Sequence, residues 1–330
     1  MARTRELISV MGQATRETRC SFVHRFHLRL LARIAATFLL AVNLSSCDDA
    51  EPEQSDPKFG DKAVSPSLQT AYIFGIHPLH NPARLHEIFG PMARYLEKRI
   101  PGTRFRVEAS RNYAAYDEKL YAGKFHFSLP NPFQTINSLK HGYRVFGKMG
   151  DDHNFRGIIL VRKDSGIRSV ADLKGKPVSF PAPTALAATM MPQYYLQTHG
   201  LEIMKDIDIR YVGSQESSVM NVFLGNTIAG ATWPPPWRLL SKERPELAAQ
   251  LEIKWQTESL PNNGLVVRKD IPSDVVDEVA ATLFALQTHV EGKEILKRMD
   301  LSRFETADNE TYRPVVDFVE TFSNVVRPVD

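Results

Sequence analysis

The residues best suited to chemistry in this chain lie in two strand-to-helix turns and one aromatic, proline-rich stretch. Pro181-Ala-Pro-Thr184 follows an apolar strand, and Ala185 to His199 reads as a helix closed by Gly200. Pro181 and Pro183 hold the chain extended, and Thr184 is a helix-capping residue type. The backbone N–H groups of Thr184, Ala185, Leu186 and Ala187 then stand free at the positive end of a helix dipole, which suits an anion or a polar ligand head. The other reading is an ordinary turn of an α/β domain. Gly213-Ser-Gln-Glu216 repeats the pattern: Gln215 and Glu216 face a cleft, or Ser214 simply caps the helix and Glu216 steadies it. Trp233-Pro-Pro-Pro-Trp237 sets two aromatics on a stiff run, either walling a ligand or packing as a hinge cover.

Catalytic signatures are missing. There is no phosphate loop, no Gly-x-Ser-x-Gly elbow, no His-Glu-x-x-His and no dinucleotide glycine fingerprint. His77, His80 and His86 are the densest histidine group, but only Glu87 stands near enough to complete a metal site, so they read as loop and helix-surface residues. We expect no catalysis, no cofactor and no metal.

The elements that must position these groups alternate. Thr70–Gly75, Phe105–Ala109, Phe125–Leu129 and Tyr143–Gly147 read as strands, separated by helices over Arg84–Ile100, Tyr113–Ala122 and Phe133–Lys140. A second set follows: the strand at Val178, the helix from Ala185, the strand Ile207–Val212, the helix Ser217–Leu224 and the strand Ile228–Thr232. Helices over Ser273–His289, Ile295–Met299 and Tyr312–Phe322 complete the chain. Such alternation indicates parallel βαβ units. Gly157-Ile-Ile-Leu-Val-Arg-Lys-Asp164 and Gly264-Leu-Val-Val-Arg-Lys-Asp270 resemble each other and read as two strands lying side by side where two lobes join. Residues 70–157 with 263–330 would form one lobe and 158–262 the other, with the ligand between strand ends.

Residues 1–46 read as a secretory signal. Seven arginines and two glutamates precede an uncharged run from Ile34 to Ser46, too short for a bilayer span of about 20 residues. Leu44-Ser-Ser-Cys47 resembles a bacterial lipobox, with Cys47 as the lipidated residue. Residues 47–69, acidic and rich in Pro and Ser, would be a disordered tether. Removing those seven arginines and two glutamates turns the formal charge from +3 to −2, so nucleic acid is not an expected partner. Cys20 leaves with the signal and Cys47 is acylated, so no disulfide remains, and a chain of this length does not need one.

Asn112-Tyr113, Asp164-Ser-Gly-Ile167, Asp172-Leu-Lys-Gly-Lys176, Gly200, Gly213-Ser-Gln-Glu216 and Arg268-Lys-Asp-Ile-Pro272, taken in order, resemble the phosphonate/phosphite/phosphate family of ABC-transporter substrate-binding lipoproteins. The resemblance runs over most of Ala71 to the C-terminus. It implies the two-lobed α/β fold of type II periplasmic binding proteins, with two crossing strands at the hinge. Its ligand residues carry over poorly. The family's Ser-Thr-Ser-Gly falls on Ala185-Leu-Ala-Ala188, its Tyr on Phe155, a following Ser on Gly157, and the His of its His-Glu pair on Gln215. An Asp falls on Ile228 or Ala229, while Tyr113 and Glu216 are kept. Each lost polar partner typically removes about 1–3 kcal/mol from an ionic ligand. The expected site is Tyr113, Phe155, Thr184, Ala185, Leu186, Ala187, Gln215, Glu216 and Trp233. Tyr113 and Gln215 would orient polar groups; Phe155 and Trp233 would form apolar walls. The resemblance implies capture of a small phosphorus oxyanion, or a less charged relative, at the periplasmic face for an ABC permease. The alternative is a ligand sensor that signals to a membrane partner such as a sensor kinase. An enzyme of the hydroxymethylpyrimidine-synthase kind would need a reactive His or Cys constellation that the sequence lacks.

Overall fold

A computed structural model describes residues 70–329. The signal, Cys47 and the tether lie outside the described residues. In chain order the strands are β1 (Thr70–Ile76), β2 (Thr103–Ala109), β3 (Phe127–Leu129), β4 (Tyr143–Met149), β5 (Arg156–Arg162), β6 (Pro177–Phe180), β7 (Asp208–Tyr211), β8 (Ala229–Thr232), β9 (Leu251–Ser259), β10 (Gly264–Arg268) and β11 (Phe304–Glu305). The helices are α1 (Pro82–Arg99), α2 (Tyr113–Tyr121), α3 (Pro132–Ser138), α4 (Met191–Thr198), α5 (Ile203–Asp206), α6 (Gln215–Phe223), α7 (Pro234–Glu243), α8 (Pro245–Gln250), α9 (Ser273–Phe284), α10 (Val290–Arg298) and α11 (Arg313–Val325).

The strands form two sheets, ordered β11-β4-β10-β3-β1-β2 and β7-β6-β8-β5-β9. In the first, β1 runs parallel to β2 and β3, and β10 runs antiparallel to β3 and β4. In the second, β6 runs parallel to β7 and β8, and β5 runs antiparallel to β8 and β9. Central strands are apolar on both faces because helices cover both sides. Ile158 to Val161 and Leu265 to Val267 are accordingly buried. Helix α1 presents Leu85, Ile88, Phe89, Met92 and Leu96 to the core at helical spacing, and Asn81 caps it by accepting from the Arg84 N–H.

The two similar segments do not lie side by side. Strand β5 sits between β8 and β9, and β10 sits between β3 and β4, in different sheets. Their likeness comes from equivalent duties. Each is the strand that runs against its neighbours, and each ends in an arginine that grips the aspartate two residues on. The Arg162 guanidinium also donates to the Phe223 carbonyl at 2.7 Å, and Arg268 to the Gly123 carbonyl at 2.8 Å. Each arginine thereby ties its strand to the far end of a covering helix.

The crossings are the short segments flanking these strands, residues 150–155 and 260–263, and they touch. Leu260 donates to the Phe155 carbonyl at 3.1 Å and Met149 to the Asn263 carbonyl at 2.9 Å. Lys148, 5% exposed, sits beneath the crossings and pairs with Asp152 at 2.8 Å and with Glu305. Asp152 also accepts from the Asn262 N–H at 2.9 Å, so one carboxylate links the outward and return crossings. Apolar packing joins the lobes as well: the first-lobe core continues into Phe155, Leu186, Ala187, Met190, Met191 and Trp233.

Replacing Lys148 with Ala leaves two carboxylates facing each other beneath the hinge. We expect a loss of about 1–3 kcal/mol in urea unfolding. An unchanged midpoint would show that the cluster does not brace the crossings.

Candidate functional site

The cleft between the lobes is built from strand ends. β1 delivers His77, β3 delivers Asn131, β6 leads into Ala185 to Ala188, β8 ends at Trp233, and the two crossings supply Phe155 and Asn263. Tyr113 and Gln215, the first residues of α2 and α6, complete the lining. Of the nine expected site residues, Tyr113, Phe155, Ala185, Leu186, Ala187, Gln215 and Trp233 line one cavity. Its free volume is about 10 Å³, roughly the room of a single water.

The helix after β6 opens with a π turn, Leu186–Met190, and continues as α4. Ala185 is extended and its N–H already bonds to the Ala182 carbonyl. The donors left without an intrahelical acceptor are therefore those of Leu186, Ala187 and Ala188, one step later than the expected Thr184–Ala187 cluster. The Thr184 side chain does not line the cavity; its carbonyl accepts from Asn131 Nδ2 at 3.0 Å, a bond between the two lobes.

Around these donors the polar groups are arranged pairwise. Thr232 Oγ1 donates to Gln215 Oε1 at 3.0 Å, and Gln215 Nε2 donates to the Tyr113 hydroxyl at 3.4 Å. Burial pushes the Tyr113 phenol above its ordinary range, so it keeps its proton and can donate it onward. Burial also pulls His77 down to about 4, partly offset by its bond to the Leu129 carbonyl. The neutral ring places Nδ1 2.8 Å from that carbonyl, which only accepts, so Nδ1 carries the proton and Nε2 is a bare acceptor. Asn263, fully buried, donates from Nδ2 to Met149 Sδ at 3.3 Å and leaves Oδ1 without a partner. Phe155 and Trp233 form the apolar wall, with ring centroids 5.5 Å apart.

Two expectations are corrected by this geometry. His77, read as a loop histidine, is buried in the cleft, while His86 is exposed. Among the described residues no cluster of three or more His, Cys, Asp or Glu could hold a metal ion. Trp233 to Trp237, read as a stiff run carrying two aromatics, is the start of a helix. Trp233 precedes α7 and Pro234, Pro235 and Pro236 fill its first turn, where proline's missing N–H costs nothing. That helix start therefore offers no backbone donors over its first three residues.

Glu216 is exposed and lines a separate outer chamber of about 150 Å³ with His80, Arg84, Gln215 and Glu243 among its walls. Arg84 pairs there with Glu87 at 3.1 Å and, across the lobes, with Glu243. Sequence reasoning missed His77, Asn131, Ala188 and Asn263. Asn131 carried a signal, since Asn-Pro with Gln134 three residues on is a capping box, and both of its bonds form.

Residues 74–312 match the family described as "ABC transporter, phosphonate, periplasmic substrate-binding protein". The chain belongs to this family. Among its curated relatives is a "Probable ABC transporter phosphite binding protein PhnD1" of Prochlorococcus marinus, 24% identical over 195 residues, 55% of this chain and 64% of that protein. Another is the tetrathionate sensor histidine kinase TtrS of Salmonella typhimurium, 23% identical over 174 residues, 48% of this chain and 28% of that protein. The chain thus spans less than two thirds of either relative's length. Two solved structures share the fold. A binding protein component of an ABC phosphonate transporter from Pseudomonas aeruginosa has a TM-score of 0.72 at 17% identity, covering 78% of this chain and 88% of that one. PhnD1 of Prochlorococcus marinus, in complex with methylphosphonate, has a TM-score of 0.71 at 19% identity, covering 78% and 100%. The two-lobed architecture of the family is therefore present here.

The cleft is packed closely at one point. A Cβ on Gly157 would lie 2.6 Å from the Ala187 carbonyl and 2.6 Å from Pro192 Cδ. The Gly157→Ser variant, which adds the hydroxyl the family resemblance places there, should lose about 1–3 kcal/mol by overpacking. A thermal melt as stable as the parent protein would contradict the close approach of strand and helix.

Asp117 gives a pH prediction. Burial raises its carboxyl to about 7, against a hydrogen bond donated by Gln134 Nε2 at 2.6 Å. A raised carboxyl favours the protonated native state, so this stability is full below pH 4 and is lost as pH rises through about 7. The Asp117→Asn variant should lose less melting temperature between pH 5 and 8 than the parent. Equal slopes would refute the assignment.

Proposed function

We propose that the protein is an extracytoplasmic solute-binding component of an ABC importer. It captures a small phosphorus oxyanion (phosphonate, phosphite or phosphate), or a less charged relative, between its lobes and passes it to a permease. The fold supports binding at strand ends between lobes, and the observation that carries the reading is the set of buried N–H groups at Leu186, Ala187 and Ala188. The cavity's 10 Å³ is smaller than an oxyanion of four or five heavy atoms, so entry requires the lobes to part about residues 150–155 and 260–263. Arg84 with Glu243, and Arg238 with Asp300 at 2.6 Å, would separate in that motion. A periplasmic location and anchoring through lipidated Cys47 belong to the same reading, which assigns the protein no catalytic step.

A sensor module is the second reading, favoured by the likeness to part of a tetrathionate sensor kinase. It would use the same cleft and differ in the ligand and in what reads the closure.

A thermal-shift screen with phosphate, phosphite, methylphosphonate, sulfate and tetrathionate tests the proposal. A phosphorus oxyanion at 100 times its dissociation constant should stabilise the protein by about 2.7 kcal/mol. Ala187→Pro removes one of the three N–H groups at a position where a helix tolerates proline. It should weaken that ligand about ten- to a hundredfold, one hydrogen bond to a charged group. A shift with tetrathionate and none with phosphorus oxyanions would overturn the transport reading in favour of the sensor.

A further inference from the structure

We propose that Asn263 and His77 make this pocket selective for oxyanions that still carry an acidic proton, so that a phosphonate or phosphite binds as its monoanion and not as its dianion. The inference rests on the function proposed above and concerns which form of the ligand the cleft accepts.

The pocket's donors are the N–H groups of Leu186, Ala187 and Ala188 and the Tyr113 hydroxyl, enough to hold two or three oxygens of a tetrahedral acid. Two side chains that line the same cavity each carry a group that can only accept. One is Asn263 Oδ1, on a fully buried side chain with no hydrogen-bond partner. The other is His77 Nε2, since Nδ1 donates to the Leu129 carbonyl at 2.8 Å. A buried amide oxygen without a donor is costly and rare in folded proteins, which points to a partner that the ligand brings.

The surrounding charges do not change this balance. Asp117 on α2, Lys148 on β4, Asp152 in the outward crossing, Glu216 on α6, Arg327 beyond α11 and His80, which burial keeps neutral beside His77, are the titratable and charged groups nearby, and none of the six lines the cavity. With no cation in the lining, a second negative charge would be desolvated without compensation. A phosphonate or phosphite dianion, which has no P–O–H left, would also turn lone pairs towards both acceptors. The methylphosphonate or phosphite monoanion has one P–O–H, which can donate to Asn263 Oδ1 or His77 Nε2 while its remaining oxygens accept from the N–H cluster. Bonds between hydroxyls and such acceptors are stronger when one partner is charged. The unfavourable contact that rejects the wrong form is as important as the favourable one that holds the right form.

Titration calorimetry on the full chain between pH 5.5 and 8.5 tests the inference, with methylphosphonate as the probe and methanesulfonate as its singly charged analogue without a proton. Methylphosphonate affinity should fall about tenfold per pH unit above its second dissociation. Methanesulfonate should bind at least a hundredfold more weakly than methylphosphonate at pH 5.5. The Asn263→Leu variant should narrow that hundredfold gap. Because Asp117 loses its proton in the same range, the Asp117→Asn variant is run in parallel and should keep the parent's pH profile. Methylphosphonate binding that is constant or strengthens with pH overturns proton selection, as does methanesulfonate binding of equal strength; neither result needs a variant to fold. Failure of every phosphorus oxyanion to bind at any pH overturns the function proposed above, and this inference with it.

Discussion

Three backbone N–H groups with nowhere to bond inside their own helix are the constraint on which this structure turns. Leu186, Ala187 and Ala188 open the helix after β6 and are buried between two lobes. Polar groups in that position must be met by something, because burial removes the water that would otherwise serve them. The side chains of Ala185 to Ala188 contribute nothing polar, so recognition here falls to the backbone. The backbone is also the part of the site held most firmly, since Gly157 lets Ala187 and Pro192 rest directly on β5. The lack of side-chain hydroxyls from Ala185 to Ala188 and the close packing of strand against helix meet in the same turn.

The surrounding elements serve to aim and enclose those donors. Three prolines remove the competing donors at the start of α7. The capping box at Asn131 fixes a side chain whose Nδ2 then reaches the Thr184 carbonyl in the other lobe. A buried Lys148 and the shared carboxylate of Asp152 hold the two crossings together. The lobes therefore meet through a few specific bonds and a continuous apolar contact around Phe155 and Trp233. Such a junction can open without unfolding either core, which is what a hinge requires.

Much of this was legible in the sequence where a local rule sufficed. Alternation of apolar strands with amphipathic helices announced two α/β sets, and the turn at Thr184 marked the helix start to within a residue or two. Tyr113 and Gln215 were each found at the opening of a helix and Trp233 just after a strand, and such positions gather at strand ends in this architecture. Where pairing across the chain decides the outcome, the sequence was a poorer guide. Gly157–Asp164 and Gly264–Asp270 look alike because they do the same work in different sheets, and their likeness was mistaken for contact. Strand β9, in which Leu251, Ile253 and Trp255 alternate with polar neighbours, is absent from the elements read from the sequence, because its pairing with β5 spans some ninety residues of chain. His77 and Asn263 join the site only after both crossings are in place, and no spacing in the chain connects them.

A crystal structure of the protein grown with methylphosphonate tests the central claim most directly. The account predicts phosphonate oxygens within about 3 Å of the Leu186, Ala187 and Ala188 nitrogens, with Phe155 and Trp233 against the methyl group. Phosphonate held instead in the outer chamber beside Arg84, with the helix start still closed off, would contradict it.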